Sequence, residues 1–150
     1  MSAQETVANI KDQGGLAIAA HPFSRIAGSS LENSFIENYK LFHAIEVANS
    51  NNILRIDDAK AKAFAISHNI PMISGSDAHL PCGIGSNIVE MKDFNCPESF
   101  LNNLKSASIN NRLHPLKYFI DMGIWTVYEN FCEVFDLGQP IRGLKELSHA

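Results

Sequence analysis

A chain of 150 residues fits one domain and hides roughly 68–70% of its unfolded surface, so it can build a real core. Its 45% apolar and 19% charged content mark a globular protein, and a formal net charge of −4 lacks the basic excess that neutralises phosphates, which argues against nucleic-acid binding by this chain alone. No apolar run approaches the ~20 residues that span a bilayer, and Met1–Glu5 lacks the basic and apolar regions of a secretion signal, so a cytoplasmic, non-membrane protein is expected.

Ser2-Ala-Gln-Glu5 has the capping-box pattern, and Val7 and Ile10 carry an apolar stripe to Gly14-Gly15, which predicts a first helix. Leu16 to Ala20 predicts a strand. After a polar loop around Gly28 to Asn33 the segment to about Phe42 reads as helix, and His43 to Asn49 returns as a β-rich run closed by the turn cluster Asn49 to Asn52. The next helix carries Ile56, Ala59, Ala63, Phe64 and Ile66 on one side and Asp57 and Asp58 in its first turn, and it ends at Asn69 before Pro71. It feeds a strand from Met72 to Ser74. A fourth strand, about Asn87 to Met91, follows the turn at Gly83-Ile-Gly85. Over residues 1–95 strands and helices alternate, which predicts an α/β domain of parallel strands joined by right-handed crossovers.

Beyond Pro97 the pattern is helical alone, so residues 96–150 are expected to pack on that domain as a helical extension. Pro97 opens one helix, and Pro115 suits the first turn of another reaching about Phe135. This last helix is apolar on two faces, one with Leu116, Phe119, Ile120, Val127, Phe131 and Val134, the other with Met122, Trp125, Tyr128 and Phe135. Lys117, Asp121, Glu129 and Glu133 argue against a membrane span. One face is expected on the sheet or its helices and the other in a homodimer contact through Trp125, Tyr128 or Phe135, with a monomer in which the helix folds over the open sheet edge as the alternative. Cys82, Cys96 and Cys132 show no Cys-x-x-Cys spacing, and free thiols are expected.

The chemistry concentrates at two strand ends. Ile73-Ser-Gly-Ser-Asp77-Ala-His79 runs an apolar strand into an Asp and a His, with Gly75 placed to let the backbone turn sharply. A carboxylate and an imidazole are oxygen and nitrogen ligands suited to zinc, manganese or iron. Upstream, Leu16 to Ala20 leads into His21-Pro22-Phe23-Ser24, where a second imidazole leaves the end of an apolar run. A lone His at a strand end is more often a hydrogen-bonded structural residue. Two such junctions in one small α/β chain point to a metal site built from His21, Asp77 and His79. His43, His68, His114 and His149 fall at helix ends, in loops or in the tail, read as solvated or capping, and receive no role.

Gly14 to Arg25, Ala44 to Asn49, and Ala65 to His79 followed by Gly83-Ile-Gly85 resemble the C-terminal half of a PHP domain, the polymerase and histidinol phosphatase family of metal-dependent phosphoesterases. The resemblance covers about residues 8 to 91. It implies part of a distorted (β/α)7 barrel with a cluster of metals at the C-terminal ends of its strands. It further implies that His21, Asp77 and His79 each touch a different ion, and that Glu46 and Asn49, in a matching Glu-Val-x-Asn run, support the site. Alternation places Glu46 and Ala48 on one face of their strand and Val47 and Asn49 on the other. Arg25 suits a bidentate hold on a substrate phosphate, with a surface ion pair as the alternative.

The chain also departs from the family, because it has no His-x-His pair and keeps only three of the ligands a metal cluster needs. It reads either as a piece of a longer enzyme or as a natural half-domain serving assembly. In both cases weak metal binding and little or no turnover by the chain alone are expected. An open four-stranded sheet would also expose an edge and apolar faces. The function implied is hydrolysis of a phosphate ester by metal-activated water, with a non-catalytic PHP-like interaction or regulatory module as the alternative. The substrate is not legible.

Overall fold

The computed structural model describes residues 1–25 and 29–135. Helix α1 (Ala3–Asp12) starts at the capping box, in which the Ser2 hydroxyl accepts the Glu5 N–H at 3.2 Å and the Glu5 carboxylate accepts the Ser2 N–H at 2.7 Å. It ends where Gly14, at φ 74°, sends its N–H back to the Lys11 carbonyl. Then come β1 (Ile18–Ala19), α2 (Ser29–Asn38), β2 (Ala44–Asn49), α3 (Ile56–His68) and β3 (Met72–Gly75). The three strands form one parallel sheet with β2 in the middle. Flanked on both edges and covered on its faces, β2 is buried at every residue, which is the normal state of a central parallel strand.

The core gathers Ala19, Phe23, Phe35, Ile45, Val47, Ala61 and Ala65, with Phe42, Phe64 and Met72 packed around it. The small side chains of Ala61 and Ala65 turn α3 toward β2, a different face from the one its apolar residues suggest. Ile56 and Ile66 lie mostly in solvent. The helix stops at Asn69, whose left-handed backbone (φ 53°) returns its N–H to the Ala65 and Ile66 carbonyls.

Two expectations are corrected downstream. The predicted fourth strand, β4 (Ile88–Glu90), does not extend the parallel sheet; it pairs antiparallel with β5 (Ser108–Asn110), matching Val89 to Ile109, in a separate two-stranded sheet. The region after Pro97 is therefore not purely helical, because β5 follows α4 (Pro97–Leu104). The architecture is α/β with a three-stranded parallel sheet, and among the described residues it does not close into a barrel.

The long helix α5 (Leu116–Val134) turns Tyr118, Met122, Trp125 and Cys132 inward. Trp125 is half-buried beside Tyr128, while Leu116, Ile120, Ile124, Val127, Tyr128, Phe131, Val134 and Phe135 are exposed. Cys82 and Cys96 are exposed and Cys132 is buried, and none of the three is in a disulfide among the described residues. No helix among the described residues is long and apolar enough to cross a membrane. His149 lies outside the described residues.

Candidate functional site

His21 lies two residues past the end of β1 and Asp77 two residues past the end of β3; because both strands run parallel to β2, the two residues emerge at the same end of the sheet. With Glu46 of β2 they line an open cleft of about 340 Å³ whose apolar walls include Ile18, Ala20 and Ile73. Both His21 (φ 30°) and Asp77 (φ 49°) are held in the left-handed backbone region. That conformation costs a non-glycine residue on the order of 1 kcal/mol and is concentrated at functional sites. The sharp turn is thus made at Asp77 rather than at Gly75.

Gly75 is needed for a different reason, since a Cβ there would overlap the Glu46 carboxylate and lie 3.1 Å from its Cδ. Buried Glu46 accepts the His21 N–H at 2.8 Å through Oε2 and the Asn49 side-chain amide at 3.1 Å through Oε1. Burial pushes its carboxyl above the ordinary 4.5 against the opposing pull of the His21 N–H, and the negative charge of Asp77 adds to the rise. Asn49 Nδ2 also lies 3.4 Å from Asp77 Oδ2, so one amide bridges the two carboxylates. Simple alternation separates Glu46 from Asn49. The structure brings them together because β2 carries an irregularity between Glu46 and Ala48, where an extra residue resets the phase of the strand.

Two buried polar atoms of cleft residues, His21 Nδ1 and Ser74 Oγ, have no hydrogen-bond partner among the described residues. Buried polar groups are normally satisfied, so these atoms suit a bound ligand or cation. Among the described residues, however, no three His, Cys, Asp or Glu side chains form a group that could hold a metal ion. The fit to a metal is therefore partial: His21, Glu46 and Asp77 line one cleft without forming such a group.

His79 and Arg25 do not line this cleft. His79 is exposed, with Nδ1 2.9 Å from the Asp77 carbonyl. Arg25 forms the ion pair that its sequence position allowed, with Nε 2.8 Å from Asp57 Oδ1, while its N–H donates to the other carboxylate oxygen at 3.2 Å.

Residues 55–109 match the PHP-associated family model, PHP_C. The chain is also 30% identical over 112 residues to an uncharacterized protein of Methanocaldococcus jannaschii, a match that covers 67% of this chain and 47% of the relative. The chain thus spans about half the length of the curated relative it matches. No solved structure matches it.

Asp77 and His79 lie within the PHP-associated segment, and His21, Glu46 and Asn49 precede it. Just beyond its end lie two residues whose part in the site the sequence reading missed. His114, read as solvated or capping, is buried, with Nε2 2.7 Å from the Ser76 carbonyl and Nδ1 2.9 Å from the Ser86 hydroxyl. Burial lowers its pKa below 6.5, with the Ser76 carbonyl and Asp77 pulling the other way. Its ring stacks on Tyr118 at 3.7 Å between centroids. The Tyr118 hydroxyl in turn accepts the His79 N–H at 2.7 Å.

His114, just before α5, and Tyr118 in its first turn thereby grip both ends of the Ser76–His79 loop. The one signal for this in the sequence was Gly83 of the PHP-associated segment, where a Cβ would come within 2.6 Å of Tyr118 and 2.8 Å of His114. Asp58, read only as a first-turn charge, is buried and accepts from the Asn49 N–H, the Asn52 amide, Arg55 and the Asn111 amide. It braces the exit of β2.

Proposed function

We propose that the cleft is one side of the divalent-metal site of a PHP-type phosphoesterase acting on a phosphate ester in the cytoplasm. The observation that carries this reading is the meeting of His21 and Asp77, both in left-handed backbone, across a buried Glu46 at one end of a parallel sheet. His21 and Asp77 would hold zinc, manganese or iron, and His79 would serve a further ion. Glu46 fixes the His21 backbone through its N–H, and Asn49 ties Glu46 to Asp77. Arg25, held by Asp57 outside the cleft lining, would reach a phosphoryl oxygen only from the rim. A bound cation would supply Lewis acidity toward the phosphoryl group and acidify a water. Because no three ligand-type side chains group together among the described residues, the chain alone should bind metal weakly and turn over slowly.

Metal titration of the purified chain, followed by elemental analysis and p-nitrophenyl phosphate hydrolysis, tests the assignment. Weak manganese or zinc binding that His21→Ala and Asp77→Ala each reduce by about tenfold or more supports it. Metal uptake indifferent to both substitutions would overturn it. Robust hydrolysis abolished by Asp77→Ala would keep the function but show that the chain holds a complete site. The competing reading is a non-catalytic interaction module, favoured by the exposed apolar face of α5. Absence of both metal uptake and hydrolysis would select it.

A further inference from the structure

Along α5, Ile120, Ile124, Val127, Phe131 and Val134 recur at alternating steps of four and three residues, the spacing of a helix–helix seam. Each is more than half exposed, from 51% for Phe131 to 78% for Val134. Tyr128 and Phe135 flank the stripe and are themselves largely exposed. The opposite side, through Tyr118, Met122, Trp125 and Cys132, is the one turned inward, so the seam is a second and separate face. Monomeric proteins rarely leave a contiguous apolar patch of more than a few hundred Å² in water.

We propose that this seam is a homodimer interface in which α5 of one copy packs against α5 of a second copy. The proposal does not depend on the metal site. A two-fold pair is self-complementary, which suits a single stripe of this kind, and a 19-residue helix presents about 28 Å of it. The exposed apolar side chains along α5 offer on the order of 800 Å² per copy, the share that a standard stable interface needs.

Charge selects the direction. In a parallel pair Lys117 would face Lys117 of the second copy and Glu133 would face Glu133. In an antiparallel pair Lys117 lies near Glu133 of the second copy, and Ile124 opposes Val127. Lys117 also pairs with Asp121 of its own helix, which shares its charge in either arrangement, and the like-charge contact between the two Glu133 side chains is what the antiparallel pair avoids, so the pair is antiparallel.

Sedimentation equilibrium of the full chain over about 1–100 µM tests the proposal. The expected result is a monomer–dimer equilibrium whose dissociation constant rises at least tenfold in Val127→Glu and in Ile124→Glu, with an unchanged circular dichroism spectrum. Both side chains are exposed in the single chain, so neither substitution disturbs the core. Lys117→Glu should weaken an antiparallel dimer by a few-fold and leave a parallel one unaffected. A monomer at every concentration, or a dimer indifferent to both glutamate variants, overturns the seam. A dimer indifferent to Lys117→Glu overturns the antiparallel register.

Discussion

Substituting Gly75 by Ala places a methyl group where the Glu46 carboxylate lies. A clash with a long side chain is often cheap because the chain swings aside. Here it cannot swing freely, since Glu46 Oε2 is held by the His21 N–H and Oε1 by the Asn49 amide. Nor can Gly75 retreat, because its carbonyl accepts the Ser50 N–H and the Asn87 side-chain amide, both at 3.2 Å. Relief therefore means losing a charge-assisted hydrogen bond, worth about 1.5–3 kcal/mol, or absorbing an overpacking strain of about 1–3 kcal/mol. We expect Gly75→Ala to cost about 2 kcal/mol, read by urea unfolding.

The decisive measurement is a double-mutant cycle with Glu46→Ala, which removes the colliding carboxylate. In that background Gly75→Ala should cost less than about 0.5 kcal/mol, because only the backbone preference of the two residues remains. An equal cost in both backgrounds, or none in the parent chain, would refute the account of why glycine stands at this position.

Tyr118→Phe removes the hydroxyl that accepts the His79 N–H but keeps the stack on His114; a loss of about 1 kcal/mol and faster hydrogen exchange at the His79 amide are expected. An unchanged exchange rate would show that the loop is held by other contacts. His114 has a pKa lowered in the fold, so the unfolded chain binds its proton more readily. Its contribution is therefore present above the ordinary value of 6.5 and is lost as pH falls through the lower folded value. Urea midpoints measured downward from pH 7 should decline, and the decline should flatten in His114→Gln, whereas identical slopes in the two proteins would remove His114 as the cause.

Much of the chain was legible locally. The capping box at Ser2 and Glu5, the left-handed stop at Asn69 and the strand–helix alternation through β3 all rest on contacts between residues a few positions apart. The two strand ends at His21 and Asp77 were readable because an apolar run meeting a ligand-type side chain is itself a local pattern, and parallel pairing then brings them to one edge.

What the sequence did not reveal depends on partners far along the chain. His114 looked like a loop residue, and its burial rests on the Ser76 carbonyl, 38 positions away, and the Ser86 hydroxyl, 28 positions away. Asn49 reaches Glu46 only because pairing with β3 forces an extra residue into β2. Strand–helix alternation likewise placed β4 in the parallel sheet, and only β5 supplied the antiparallel partner that it takes instead. For α5, periodicity marked two apolar faces of similar character, and only packing through Tyr118 and Trp125 decided which one the fold covers. Burial is a property of the pair of surfaces that meet, and a single helix carries half of that information.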